Sequence, residues 1–123
     1  MMMMPMDRWE EYWSQARPHI DAACQYGDLS IEDIEKGLRG GYYQLVVMDG
    51  GASVFNLNDE SLHITAVGGE FDYNWLPGFL DYAAAVAITM NRRRLTGYGR
   101  KGWLRKLKLF GWRQIDERYE VDL

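Results

Sequence analysis

The chain is poor in the residues that most often carry reactive chemistry. One cysteine, Cys24, excludes an internal disulfide. His19, Cys24 and His63 share no ligand spacing, so metal chemistry has no support. There is no Gly-x-Ser-x-Gly motif and no triad for a serine nucleophile. Gly97 and Gly99 form a Gly-x-Gly without the third glycine or the βαβ setting of a dinucleotide fingerprint. Long apolar runs are missing too. Tyr82 to Met90, interrupted by Thr89, is far shorter than a bilayer span. The opening MMMMPM lacks the basic region of a signal peptide, and residues 1–6 read as a disordered tail. The expectation is a soluble, cytoplasmic protein with no membrane partner.

What is present is apolar and aromatic. In 123 residues, 47% hydrophobic and 14% aromatic content is enough to bury one core, so residues 7–123 read as a single domain. The charge is unevenly spread. Residues 1–91 carry fourteen acids and four bases, whereas residues 92–123 carry ten bases and four acids. Between Arg92 and Arg113 stand nine bases and no acid. Such a block is either a solvated face or a surface for an anionic partner: a phosphorylated cofactor, nucleic acid or an acidic protein.

Periodicity sets out the elements. Trp9, Tyr12, Trp13 and Ala16 recur at helical spacing within residues 7–26, and Pro18 is expected to break or restart that helix. Ser30 reads as the N-cap of a helix from Ile31 to about Leu38, with Asp33 in the capping-box position and Gly40-Gly41 at its end. Tyr42–Met48, Ala52–Leu57 and Ser61–Val67 read as strands. The short turns Asp49–Gly51 and Asn58–Glu60 make them an antiparallel meander. A helix spans about Leu76 to Arg93, with Pro77 tolerated in its first turn. Leu95–Tyr98 is a short strand, and the strand–helix–strand unit is long enough for a parallel crossover. Lys101–Leu109 reads as a basic helix ended by Gly111, and Trp112–Leu123 as the last strand. The order α-α-β-β-β-α-β-α-β is one α/β (α+β) domain around a mixed, mostly antiparallel sheet.

The stretch Ser61–Phe79 draws attention within that order. A strand ends at Gly68-Gly69 and feeds a helix N-terminus, where free N–H groups and the helix dipole favour an anion. A double glycine also ends strands as an ordinary turn, which is the commoner outcome.

The element order from Trp9 onward, the strand–glycine–helix segment Ile64–Arg93, and GYGRKGWLRKLKLFGW at Gly97–Trp112 together resemble the GNAT superfamily of N-acyltransferases. The Gly-Arg-x-Gly-Trp start of the last helix looks most like compact GNAT-like proteins encoded by bacteriophages. The resemblance implies acetyl-CoA in an opening beside the central strand. It places the pantetheine arm and pyrophosphate at Thr65, Ala66, Val67, Gly68, Gly69, Asn74 and Trp75, with phosphate contacts from Arg100 and Lys101. Two features depart from the family pattern. The Arg/Gln-x-x-Gly-x-Gly/Ala loop fits no register here, and Leu107 stands where the family often has a tyrosine acid.

Acyl transfer to an amine needs a base and an acid. Glu60 and His63, near the start of the central strand, are the base candidates, and Tyr98 is the acid candidate. As ordinary strand residues, His63 and Tyr98 would need no such role. The leading reading is an acetyl-CoA-dependent N-acyltransferase of unknown acceptor. The alternatives are a catalytically degenerate GNAT-fold phage protein, acting as a virion or host-interaction component, and a small nucleic-acid binder using residues 92–113. Self-association as a homo-oligomer belongs with the structural reading.

Overall fold

A computed structural model describes residues 2–5, 7–25, 27–72, 74–99 and 101–123, with Lys101 described by its backbone alone. In chain order these residues form β1 (Met2–Met3), α1 (Glu10–Cys24), α2 (Ile31–Arg39), β2 (Gln44–Met48), β3 (Gly51–Leu57) and β4 (Ser61–Gly69). Then come α3 (Trp75–Thr89), β5 (Arg94–Gly97), α4 (Lys101–Leu107) with a 3-10 turn at Lys108–Phe110, β6 (Arg113–Ile115) and β7 (Arg118–Asp122). The sheet order is β1-β2-β3-β4-β5-β7-β6. β4 and β5 run parallel, joined by α3, and every other neighbouring pair is antiparallel.

Local chemistry accounts for most element ends. Ser30 Oγ accepts from the Asp33 N–H, and the Asp33 carboxylate accepts from the Ser30 N–H, so the capping box is closed at both bonds. Gly50, at φ 82°, turns β2 into β3. Asn58 N–H donates to the Ser61 carbonyl at 2.8 Å and tightens the turn into β4. Gly111, at φ 87°, ends the 3-10 turn after α4.

The two sheet faces carry different cores. On one face Val46, Met48, Phe55, Leu62 and Leu95 meet Phe79, Leu80, Ala83 and Ala87 of α3 and Leu107 of α4. On the other, Leu45, Ala52 and Val54 meet Trp13, Ala16 and Ile20 of α1 and Ile34 and Leu38 of α2. Trp9 and Trp13 belong to this core, and the Trp13 indole N–H donates to Glu35 Oε1 at 2.5 Å.

Three expectations change. Pro18 lies inside α1 and does not break it. It and Ser14, whose carbonyl loses the helix bond, are both on the exposed side of the helix, while Trp13, Ala16 and Ile20 hold the helix on the sheet. The last strand is a hairpin instead. Asp116, at φ 56°, turns β6 into β7, which places Ile115 and Leu123 in solvent. Within the expected tail, Met2 and Met3 pair with Val47 and Val46, and Met4 is buried. The apolar, adaptable methionines cover the edge of β2.

Candidate active site at the divergence of β4 and β5

β4 keeps its two neighbours for unequal lengths. Its pairing with β5 ends at Ile64 and Gly97, whereas its pairing with β3 continues to Gly69. Residues 65–69 therefore present a strand edge without a partner on the β5 side among the described residues. The register with β3 slips between Val54 and Phe55, which pair with Ala66 and Ile64, so Thr65 is the extra residue of a bulge. Among the described residues the buried Thr65 Oγ1 has no hydrogen-bond partner.

His63 sits just before this opening. Its Nδ1 lies 2.8 Å from Thr96 Oγ1 on β5, and its ring meets the Tyr98 ring edge-on at 5.1 Å. Burial, and secondly the nearby positive charge of Arg118, hold the imidazole pKa below its ordinary value. The imidazole is thus neutral near pH 7 and suited to accept a proton. Tyr98 is 65% exposed. Behind it, the Tyr119 hydroxyl donates to the Gly99 carbonyl at 2.7 Å and fixes the chain leaving β5.

The structure brings His63 and Tyr98 together but not Glu60. The Glu60 carboxylate is exposed and faces Arg93 at 3.7 Å, at the far end of β4. Thr96 was not singled out from the sequence, although its alternation with Tyr98 along one short strand was readable. Gly68 and Gly69 have packing duties. A Cβ on Gly68 would collide with the His19 carbonyl of α1, and Gly69, at φ 147°, lies against Gly50 and Gly51. Ala66 and Val67 pack on opposite faces of the sheet. Asn74 is exposed and makes no side-chain cap for α3. Arg100 and the side chain of Lys101 lie outside the described residues.

Aromatic rings gather between the starts of α3 and α4. Phe71 stacks on Trp75 at 4.3 Å, and Trp75 meets Trp103 edge-on at 5.7 Å. They pack on the same apolar cluster as Ile64 and Val67. Two surface hollows of about 200 and 270 Å³ lie elsewhere, the first beside Met3 and Met90 and the second between His19 and Gly50.

No family model matches the chain, and no curated protein matches it in sequence. The structure is similar to the crystal structure of an acetyltransferase of the GNAT family from Bacillus anthracis. The TM-score is 0.57 at 13% identity, over 91% of this chain and 89% of that one. The fold is GNAT-like. The mixed seven-stranded sheet and four helices agree with the architecture that the sequence resemblance implies.

Within a GNAT-like frame the free edge of β4 offers strand N–H and C=O groups. The next segment is poorly suited to a pyrophosphate. Residues 65–79 contain no Lys or Arg, and the exposed Glu70 and Asp72 are of the wrong sign. Leu107, which the sequence resemblance sets at the family's tyrosine position, is buried in the core. Among the described residues no group of three His, Cys, Asp or Glu is placed to hold a metal ion. No described helix is long and apolar enough to cross a membrane.

Proposed function

We propose that the chain is a GNAT-type N-acyltransferase that takes its acyl group from acetyl-CoA, with His63 as base and Tyr98 as acid. The observation that carries the reading is the early end of β4–β5 pairing, which leaves a free strand edge beside a neutral, half-buried imidazole. When bound, acetyl-CoA supplies an activated thioester, with its pantetheine arm along Thr65–Gly68. The step needs the tautomer in which His63 Nδ1–H donates to Thr96 Oγ1, 2.8 Å away, which leaves the Nε2 lone pair to accept a proton from the acceptor ammonium. The freed amine nitrogen would bond to the acyl carbon as the acyl–sulfur bond breaks. Tyr98 would give its proton to the departing sulfur and take the surplus proton of the new amide nitrogen.

Isothermal titration with acetyl-CoA and with free CoA tests the cofactor. Saturable one-to-one binding is expected. His63→Ala should then lower turnover by about 10²- to 10⁴-fold, with little change in acetyl-CoA affinity. Absence of binding at millimolar CoA would defeat the proposal.

Two observations favour a second reading. The Phe71–Trp75–Trp103 contact and the buried Leu107 suit a GNAT-fold protein that has lost catalysis and serves as a binding or structural component, such as a phage virion or host-interaction protein. Silence toward CoA in the same titration is its expected outcome.

A further inference from the structure

The outer face of the β5–β7–β6 half of the sheet carries no helix core. The apolar cluster under α1 and α2 contains no residue from those strands. Polar residues line up across it instead. Register pairs run from His63 to Thr96, from Thr96 to Glu120, and from Glu120 to Arg113. Residues two apart on a strand share a face, so Arg94, Arg118 and Asp122 flank this row.

At its centre is a carboxylate that solvent barely reaches. The Glu120 side chain is 2% exposed and is covered by three guanidinium groups. Arg113 donates to Glu120 Oε2 at 3.0 Å and to Asp122 Oδ2 at 3.1 Å. Arg118 donates to Glu120 Oε1 at 2.9 Å. Arg94 Nε stands 3.7 Å from Glu120 and 3.5 Å from Asp122, too far for a good hydrogen bond. Among the described residues the buried Nε–H groups of Arg94 and Arg118 have no acceptor. Three arginines face two carboxylates, so the cluster retains one positive charge while the arginine side chains stay 34–46% exposed. These Nε–H groups are closed to solvent, so a group from outside the chain would meet the exposed parts of the three arginine side chains instead. The guanidinium fork matches a planar carboxylate, and a single residual charge is balanced by a monoanion.

We infer that Arg94, Arg113 and Arg118, gathered over Glu120, form a recognition site for a carboxylate carried by the acceptor amine. The site itself rests on the ion-pair geometry. Its role toward an acceptor rests on the acyltransferase reading. The row places it two strands from His63, a span that a small amino acid or a peptide terminus can bridge. The field of Arg118 also reaches the imidazole.

The test follows the arginine Nε–H signals of ¹⁵N-labelled full-length protein during titration with sodium acetate, against sodium chloride at matched ionic strength. Saturable, millimolar shifts of the Arg94 and Arg118 signals are expected. Arg118→Lys keeps the charge but loses the fork, and it should weaken acetate binding about tenfold. Arg94→Lys is the second variant should that one fail to fold, and Lys106→Gln on α4 should bind like the wild type. Shifts that are linear and equal to those in chloride would overturn the site. So would inorganic phosphate binding tenfold more tightly than acetate. Acetate binding in a protein that ignores acetyl-CoA would uphold the site while removing the acyltransferase reading, so the two fail separately.

Discussion

His63 is the residue on which local environment and function meet. Its partner Thr96 is buried, and its ring is covered by Tyr98. Charging it inside the folded protein is therefore costlier than in the unfolded chain. The consequence for stability has a definite sign. With the folded pKa below the unfolded one, the native state binds fewer protons between the two values. The contribution is complete above the ordinary imidazole value of 6.5 and is lost as pH falls below it. Urea unfolding between about pH 7.5 and 5.5 should show the wild type losing more stability than His63→Asn. Parallel stability curves would mean that the imidazole is not held neutral by the fold. The histidine was legible from the sequence as a strand residue beside a cleft. Its bond to Thr96 was not, because that contact depends on the parallel pairing of strands 33 residues apart. For the same reason Glu60 stood out as an equal candidate, although the fold turns its carboxylate to Arg93.

At the scale of elements, the caps and turns were readable because each is set by a few adjacent residues. Ser30 with Asp33 announced α2, and Asp49-Gly50 announced the first hairpin. What failed were decisions settled by distant packing. Pro18 sits in a continuous helix because the sheet holds its other face. The β6–β7 hairpin was hidden because Asp116 adopts a left-handed conformation without the usual glycine. The double glycine that ends β4 is set by its neighbours. Gly68 lets α1 approach β4 closely, and this gives a sharp prediction. Gly68→Ala drives a Cβ into the His19 backbone, which cannot swing away as a side chain would. The variant should lose about 1–3 kcal/mol in urea unfolding. Gly102→Ala is the matched control. Nothing lies within 4 Å of its new Cβ, and it stands in α4. It should be stabilising by about 0.5–1 kcal/mol. An unchanged midpoint for Gly68→Ala would show that α1 lies farther from β4.

For the whole molecule, the charge asymmetry of the sequence resolves into structure. Several of the C-terminal bases are ion-paired within the fold: Arg93 with Glu60, and Arg94, Arg113 and Arg118 with Glu120 and Asp122. Arg105, Lys106 and Lys108 stay exposed along α4 and the 3-10 turn. A count of charges could not separate these groups, because only strand order brings Glu120 to the arginines. The same strand order makes the two cores dependent on one another. Each of the seven strands is bonded to its neighbours, and β2 and β3 send alternate residues to opposite faces. Losing α1 and α2 would expose Leu45 and Val54 on the strands whose Val46 and Phe55 form the other core. Unfolding should therefore be a single transition, with tryptophan fluorescence and far-ultraviolet circular dichroism coinciding. Ile34→Ala in one core should cost about 2–5 kcal/mol and Phe79→Ala in the other about 3–5 kcal/mol. Each should shift both probes together, because neither face has a sheet of its own. If Ile34→Ala separated the two transitions, α1 and α2 would be a cover that detaches while the remainder stays folded.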